Sequence, residues 1–268
     1  MNETHGANLS YVSRKRRVRE DKRFVTGTAT YVQDVQLPNM KHVALVQSPY
    51  AKAKIISIDA SEALAMDGVH AVLTGEELTA NTNAIGLGLI LPEVKWYPLA
   101  VGMVRYVGEW VCAVVADDLY TAEDAAELVM VDYEPLDPLI DTEAAYTDTE
   151  RLVHPGHGSN VLFDGHYNWG SVDDDFAAAE ETLSFRVHWG RSSTVPIETF
   201  GVTANWDMAT DVLDVWASIQ MPNYVETLSA ALRMPLNNLR LHQHVDVGGS
   251  YGVKRGIKHS VLVGYLSR

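Results

Sequence analysis

Gln220 closes the apolar run Trp216-Ala217-Ser218-Ile219 and stands 31 positions ahead of Tyr251. Tyr251 lies in a loop, Asp246-Val247-Gly248-Gly249-Ser250-Tyr251-Gly252-Val253-Lys254. Successive glycines let backbone N–H groups turn toward one point and come close to an oxygen atom of a ligand. A glutamine amide can donate to the same atom. Such a pair would orient and polarise a ligand without touching a metal as a direct ligand, the work of groups behind the coordinating shell. A loop of this composition, taken alone, is more often a simple turn. The weight therefore falls on what surrounds it.

Other residues able to do chemistry have plainer readings. Cys112 sits in Trp110-Val111-Cys112-Ala113-Val114-Val115, where a buried inert thiol is expected; one cysteine forms neither an internal disulfide nor an iron–sulfur site. His154 and His157 flank a Pro-Gly pair and read as loop. His242 and His244 share one face of a strand candidate, yet that pattern is more often solvated or caps a core than it ligates a metal. Gly86-Leu87-Gly88 lacks the third glycine and the strand–helix frame of a dinucleotide site. Asp173-Asp174-Asp175 suits the start of a helix, where the dipole favours negative charge.

The elements that must position Gln220 and its loop follow from periodicity. Residues 1 to about 23 are polar and charged and need another surface to order them. Strands are expected at His42–Val46, Ile55–Ile58, Val69–Leu73 and within Val104–Ala116, with helices over Asp59–Met66 and from Thr121, where Thr121 and Asp124 resemble a capping box. Asp141 to about 166 reads as a linker. Beyond it come a short acidic helix from Val172, strands at Leu183–Trp189, Thr203–Trp206, Val212–Ser218 and Leu239–Val245, a helix at Asn223–Arg233 and another from Lys254. The mixture is α+β.

The bulk numbers narrow the function classes. In 268 residues, 35 Asp and Glu against 21 Lys and Arg leave a net charge of −14, which repels phosphate backbones and anionic lipid; neither a nucleic-acid nor a membrane role is expected. No secretory signal follows the basic cluster at 14–17, and no stretch approaches the ~18 apolar residues of a span, so the cytoplasm is the expected location.

Two sets of residues carry a resemblance. The first comprises Thr26-Gly27, Tyr31-Val32-Gln33-Asp34, Leu37-Pro38-Asn39-Met40, Gln47-Ser48-Pro49-Tyr50-Ala51, Gly68-Val69-His70-Ala71-Val72, Val107-Gly108-Glu109 and Val131-Asp132-Tyr133-Glu134-Pro135. It resembles the α/β hammerhead domain of the xanthine dehydrogenase, aldehyde oxidase and carbon monoxide dehydrogenase family of molybdenum hydroxylases. The second comprises Pro196-Ile197-Glu198-Thr199-Phe200, Ser218-Ile219-Gln220-Met221-Pro222 and the glycine loop. It is similar to the opening of that family's molybdenum-cofactor-binding domain, with Ser250 and Tyr251 in place of the commoner Gly and Phe. The Pro-Ile-Glu-Thr stretch and the residues after the loop look nearest to the carbon-monoxide-dehydrogenase-like branch.

The resemblance implies an arm at 1–23, a hammerhead domain at 24–140, a linker at 141–166 and an incomplete cofactor domain at 167–268. It implies that Gln220 supports the metal-oxo group through a hydrogen bond, and that Gly248, Gly249, Ser250, Tyr251 and Gly252 approach the cofactor. Tyr251 and Arg255 would lie near a small-molecule substrate. Arg255 stands where purine-oxidising members carry an acidic residue, which makes purine hydroxylation doubtful; N-heteroaromatics, aldehydes, CoA thioesters and carbon monoxide stay open. The implied cofactor is molybdenum-molybdopterin, in the cytosine dinucleotide form, shared with a chain carrying the remainder of the large subunit. [2Fe–2S] clusters and FAD would belong to an iron–sulfur subunit and an FAD subunit. No residue matches the family's catalytic glutamate, so the chain is expected to act only within a molybdenum-dependent oxidoreductase complex. Either a natural split of the large subunit or a truncation accounts for the length, and the split is the favoured expectation. A non-catalytic adaptor that kept the fold and lost the metal is the alternative.

Overall fold

The computed structural model describes residues 18–86, 94–190, 192, 194–242 and 246–268. The basic cluster at 14–17, most of the Gly86-Leu87-Gly88 stretch and His244 lie outside them.

The first half forms two small sheets with helices against them. A short helix α1 (Asp21–Val25) precedes β1 (His42–Gln47), β2 (Ala53–Asp59), α2 (Ser61–Leu64), β3 (Val69–Thr74), α3 (Gly75–Asn81), β4 (Met103–Val104), β5 (Trp110–Ala116), α4 (Leu119–Glu127) and β6 (Met130–Pro135). One sheet has the order β1-β5-β3, with both partners antiparallel to β5 and Val114 opposite Ala44 and Val72. The other has the order β4-β2-β6. β5 reads as a continuous apolar run because both of its faces are covered. Cys112 and Val114 pack with Ala63, Ala125 and Val129, while Trp110 and Ala113 join Leu73, Leu78 and Leu99. Burial pushes the Cys112 thiol up to about 12, which leaves it without thiolate reactivity.

The helix expected from Thr121 begins two residues earlier. Asp118, not Thr121, caps it: the Asp118 carboxylate accepts the Thr121 N–H at 2.9 Å and also the Thr121 hydroxyl at 2.9 Å. A carboxylate at the N-terminus gains from the helix dipole as well as from the hydrogen bond, so it outcompetes the hydroxyl for the cap. The stretch 141–166 is not featureless, since it holds α5 (Thr142–Thr147), whose cap Asp141 accepts from Glu143 and Ala144 N–H.

The second half contains α6 (Val172–Ala178), β7 (Val202–Asp207), β8 (Val212–Ala217), α7 (Tyr224–Leu232), β9 (Leu239–His242) and α8 (Ile257–Ser267). Its sheet has the order β7-β8-β9, with β7–β8 antiparallel and β8–β9 parallel. Tyr224, Leu228, Ala231 and Leu232 of α7 pack on Leu213 and Val215 of β8. The Leu183–Trp189 segment, expected as a strand, forms none, and Leu183, Phe185, Val187 and Trp189 are all exposed. Its alternating pattern fits a pleated strand, but a strand exists only through pairing, and this segment pairs with no strand among the described residues.

α8 joins the two halves. Ile257 and Val261 belong to the core of the β7-β8-β9 sheet, whereas Leu262 is buried among Leu73, Leu78, Leu99 and Trp110 of the first half. A helix covered on most sides is apolar on most sides, as the run Val261-Leu262-Val263-Gly264-Tyr265-Leu266 shows.

Candidate functional site

The strap 196–200, the end of β8 and the turn before α8 meet around the glycine loop. Gln220 follows β8 by three residues, and its backbone N–H donates to the Lys254 carbonyl at 3.1 Å. The Gly252 N–H donates to Gln220 Oε1 at 2.9 Å. With the oxygen of the amide engaged, the orientation is set and the NH2 group is the end left to donate elsewhere. Gln220 and Gly252 of the loop, 32 positions apart, are therefore brought into direct contact.

Inside the loop the backbone does what few residues permit. Gly249 has φ +86°, and a Cβ there would lie 2.9 Å from Tyr251 Cε2, because the tyrosine ring folds back over it. Tyr251 itself has φ 45°, a conformation that costs an L-residue on the order of 1 kcal/mol and recurs at functional sites. Val253 N–H donates to the Ser250 carbonyl at 2.9 Å, closing the turn. The N–H groups of Gly249, Ser250 and Tyr251 donate to no acceptor among the described residues. Gln220, Tyr251, Gly252 and Arg255 are exposed, and Gly248, Gly249 and Ser250 are partly so. Free donors on an accessible, tightly held loop suit an electronegative ligand.

Three anchors hold this loop. At its start, Asp246 N–H donates to the Thr30 carbonyl at 2.6 Å, the Thr30 N–H donates to Asp246 Oδ2 at 3.2 Å, and the Arg23 guanidinium pairs with Asp246 Oδ1. Arg23 and Thr30 of the first half thus hold the start of this loop. At the next anchor, Gly248 N–H donates to Glu198 Oε2 at 2.6 Å, and a Cβ at Gly248 would meet Glu198 Cβ at 2.6 Å. Glu198 Oε2 also accepts from the Lys254 ammonium, whose side chain is fully buried. The third anchor is Gln220 on Gly252 and Lys254. Sequence reasoning noted Glu198 and Lys254 inside motifs but assigned neither a role. No local signal in the sequence pairs the two, because they lie 56 positions apart.

The histidines fall elsewhere. His242 Nε2 lies 2.7 Å from Asp214 Oδ1, and its ring stacks on Trp216 at 4.3 Å between centroids. His157 Nε2 contacts the Val161 carbonyl at 3.0 Å. His259 lies closer to the loop, edge-on to Trp110 with centroids 4.5 Å apart and 4.3 Å from Phe200. Burial pushes its pKa down to about 4, with Lys258 adding to the shift and the Gly256 carbonyl opposing it. The unfolded chain binds that proton near pH 6.5, so the unfolded state gains protons first as pH falls. Stability from this residue is complete above pH 6.5, declines below it and stops declining near pH 4. His259→Phe is expected to flatten the melting temperature over that window relative to wild type; parallel curves for the two proteins would count against it.

The fold and loop define a two-part α+β protein with a hydrogen-bonded glycine loop at its surface, and comparisons with known proteins give its family. The family model described as the aldehyde oxidase and xanthine dehydrogenase a/b hammerhead domain matches residues 26–137, and the molybdopterin cofactor-binding domain model matches residues 153–268. The gamma subunit of the 6-hydroxypseudooxynicotine dehydrogenase complex of Paenarthrobacter nicotinovorans is 38% identical over 263 residues, covering 93% of this chain and 32% of that protein. The nicotine 6-hydroxylase large subunit of the same organism is 34% identical, covering 88% and 29%. The crystal structure of quinoline 2-oxidoreductase from Pseudomonas putida 86 superposes with a TM-score of 0.82 at 32% identity, covering 93% of this chain and 33% of that one. The chain belongs to the xanthine dehydrogenase, aldehyde oxidase and carbon monoxide dehydrogenase family of molybdenum hydroxylases, as the hammerhead domain and first part of the cofactor domain of its large subunit. It spans about a third of the length of the relatives just named.

Proposed function

We propose that this chain forms part of a molybdenum hydroxylase and lends hydrogen-bond support to its molybdenum-molybdopterin cofactor, with further protein completing the site. The observation that carries this reading is the Gln220 amide, whose oxygen is held by the Gly252 N–H so that its NH2 group is left to donate. The residues fit the cofactor: the loop offers unspent N–H donors, and Gly248 and Gly249 have no room for a side chain. When bound, the cofactor supplies the two-electron redox centre at which a carbon centre is oxidised with water as oxygen source. Gln220 holds the donor direction, the loop backbone lies along the cofactor, and Tyr251 and Arg255, both exposed beside it, face the substrate.

The same reading takes in the remaining partners. A chain or segment carrying the rest of the large subunit covers the exposed Leu183–Trp189 face and brings the general base. Iron–sulfur and FAD subunits carry electrons away, the cofactor is the cytosine dinucleotide form, and the assembly works in the cytoplasm. No helix among the described residues is long and apolar enough to cross a membrane. The substrate class is N-heteroaromatic or closely related, since the relatives at 38% and 34% identity and the structure at TM-score 0.82 are named for 6-hydroxypseudooxynicotine, nicotine and quinoline. Carbon monoxide dehydrogenase large chains at 32% and 34% identity keep a smaller substrate as the competitor. The test is to purify the tagged chain from its native host with its bound proteins and measure molybdenum and pterin. About one molybdenum per chain is the expected result by analogy with a single shared site. A folded complex free of both would replace this reading with the adaptor.

A further inference from the structure

Glu198 and Lys254 are the best-buried pair of opposite charges near the loop. The Lys254 side chain has no exposure and that of Glu198 only 11%. A buried pair of this kind rarely adds net stability compared with apolar residues of the same shape, because both charges must leave water. What the pair supplies here is geometry that apolar residues cannot give. One oxygen, Glu198 Oε2, receives both the Lys254 ammonium and the Gly248 N–H at 2.6 Å. Gly248 opens the glycine stretch and Lys254 follows its end, so one carboxylate oxygen ties the two sides of the loop together. The backbone carbonyl of the same lysine accepts the Gln220 N–H at 3.1 Å, and Gln220 Oε1 accepts from Gly252 at 2.9 Å.

We propose that Glu198 and Lys254 are positioning residues, a clamp that fixes the glycine loop and, through the Lys254 carbonyl, the direction in which the Gln220 amide donates. The proposal rests on the functional reading above only for its purpose; the clamp itself is a statement about this loop. Glu198 reaches the loop on a strap with period two: Pro196 is buried, Glu198 and Phe200 are partly buried, and Val195, Ile197 and Thr199 are exposed. Phe200 rests on His259, which fixes the far end of the strap. Apolar contacts therefore locate the strap, and the carboxylate alone carries its position to the loop.

Single substitutions strand one buried charge and can unfold the chain, so the decisive variant is the double Glu198→Leu, Lys254→Met, which removes both charges and keeps the volumes. Hydrogen exchange is read by mass spectrometry on the full chain in its native assembly, comparing the 246–256 segment with β5. The expected result is exchange at least ~10-fold faster in 246–256, as for loss of a buried hydrogen bond, with β5 unchanged. Unchanged exchange in both segments would overturn the clamp, as would equal acceleration in both, which marks a purely structural pair. Should the double variant not fold, the wild-type assembly decides: a Gly248 amide exchanging at the rate of unstructured peptide would refute the proposal, and a Gly248 amide protected relative to those of Gly249, Ser250 and Tyr251 would support it. In the molybdenum-loaded assembly the clamp variant should also lower kcat with KM held and alter the metal's paramagnetic resonance signature. Absence of molybdenum from the wild-type assembly would sink the functional reading while leaving the exchange result to judge the clamp.

Discussion

Gln220→Ala is expected to lower the turnover of the molybdenum-loaded assembly by about 10²–10³-fold, the effect of removing one preorganised donor from a site where charge develops. The side chain is exposed and lies outside the packed clusters, so melting temperature and metal content should stay near wild type. The loss should appear in kcat and kcat/KM together, because the donor matters most in the transition state. Gln220→Glu is a sharper companion. It keeps an oxygen to accept from Gly252 but replaces the donating NH2 with a second acceptor, so it should be at least as damaging as alanine. Steady-state kinetics on metal-matched samples check both, and wild-type rates from Gln220→Ala would remove this residue from the site.

Leu262→Ala is expected to destabilise the chain by about 2–5 kcal/mol, the range for truncating a buried leucine. Leu262 sits on α8 but is buried among Leu73, Leu78, Leu99 and Trp110 of the first half, while Val261 beside it and Ile257 earlier on the helix lie in the other core. A cavity there weakens the contact that makes the halves one body. Chemical denaturation followed separately by near-ultraviolet dichroism and by hydrogen exchange in β5 and β8 should show the loss in both sheets. A loss confined to β5 would mean that α8 docks on the second sheet without coupling the two.

How much of this was legible beforehand can be argued from particular residues. The β5 run Trp110-Val111-Cys112-Ala113-Val114-Val115 announces a strand buried on both faces, and burial of Cys112 follows from its neighbours. The helix at Tyr224–Leu232 was visible from Val225, Leu228, Ala231 and Leu232, because the period of an α-helix is written in side-chain polarity alone. The family resemblance implied that Gln220 and the loop come together, and the two touch through Gly252. These are local or motif-level facts, carried by the order of the residues.

The remainder depended on long-range geometry. Thr121 was expected to open its helix, but the backbone stays extended as far as Asp118, whose carboxylate caps it by accepting the Thr121 N–H. The Leu183–Trp189 segment has the pattern of a strand and no ladder, since pairing is a property of two edges and the sequence of one states nothing about the other. Glu198 and Lys254 lie 56 positions apart, and nothing in either neighbourhood indicates that one carboxylate oxygen will serve both the ammonium and Gly248 N–H. The sequence by itself determined most of the kinds of elements, the two-part order and the motifs that mark the family. Only the tertiary structure decided which buried charges meet, which end of Gln220 is left to donate, and that α8 belongs to both cores, because those follow from packing in three dimensions rather than from any period along the chain.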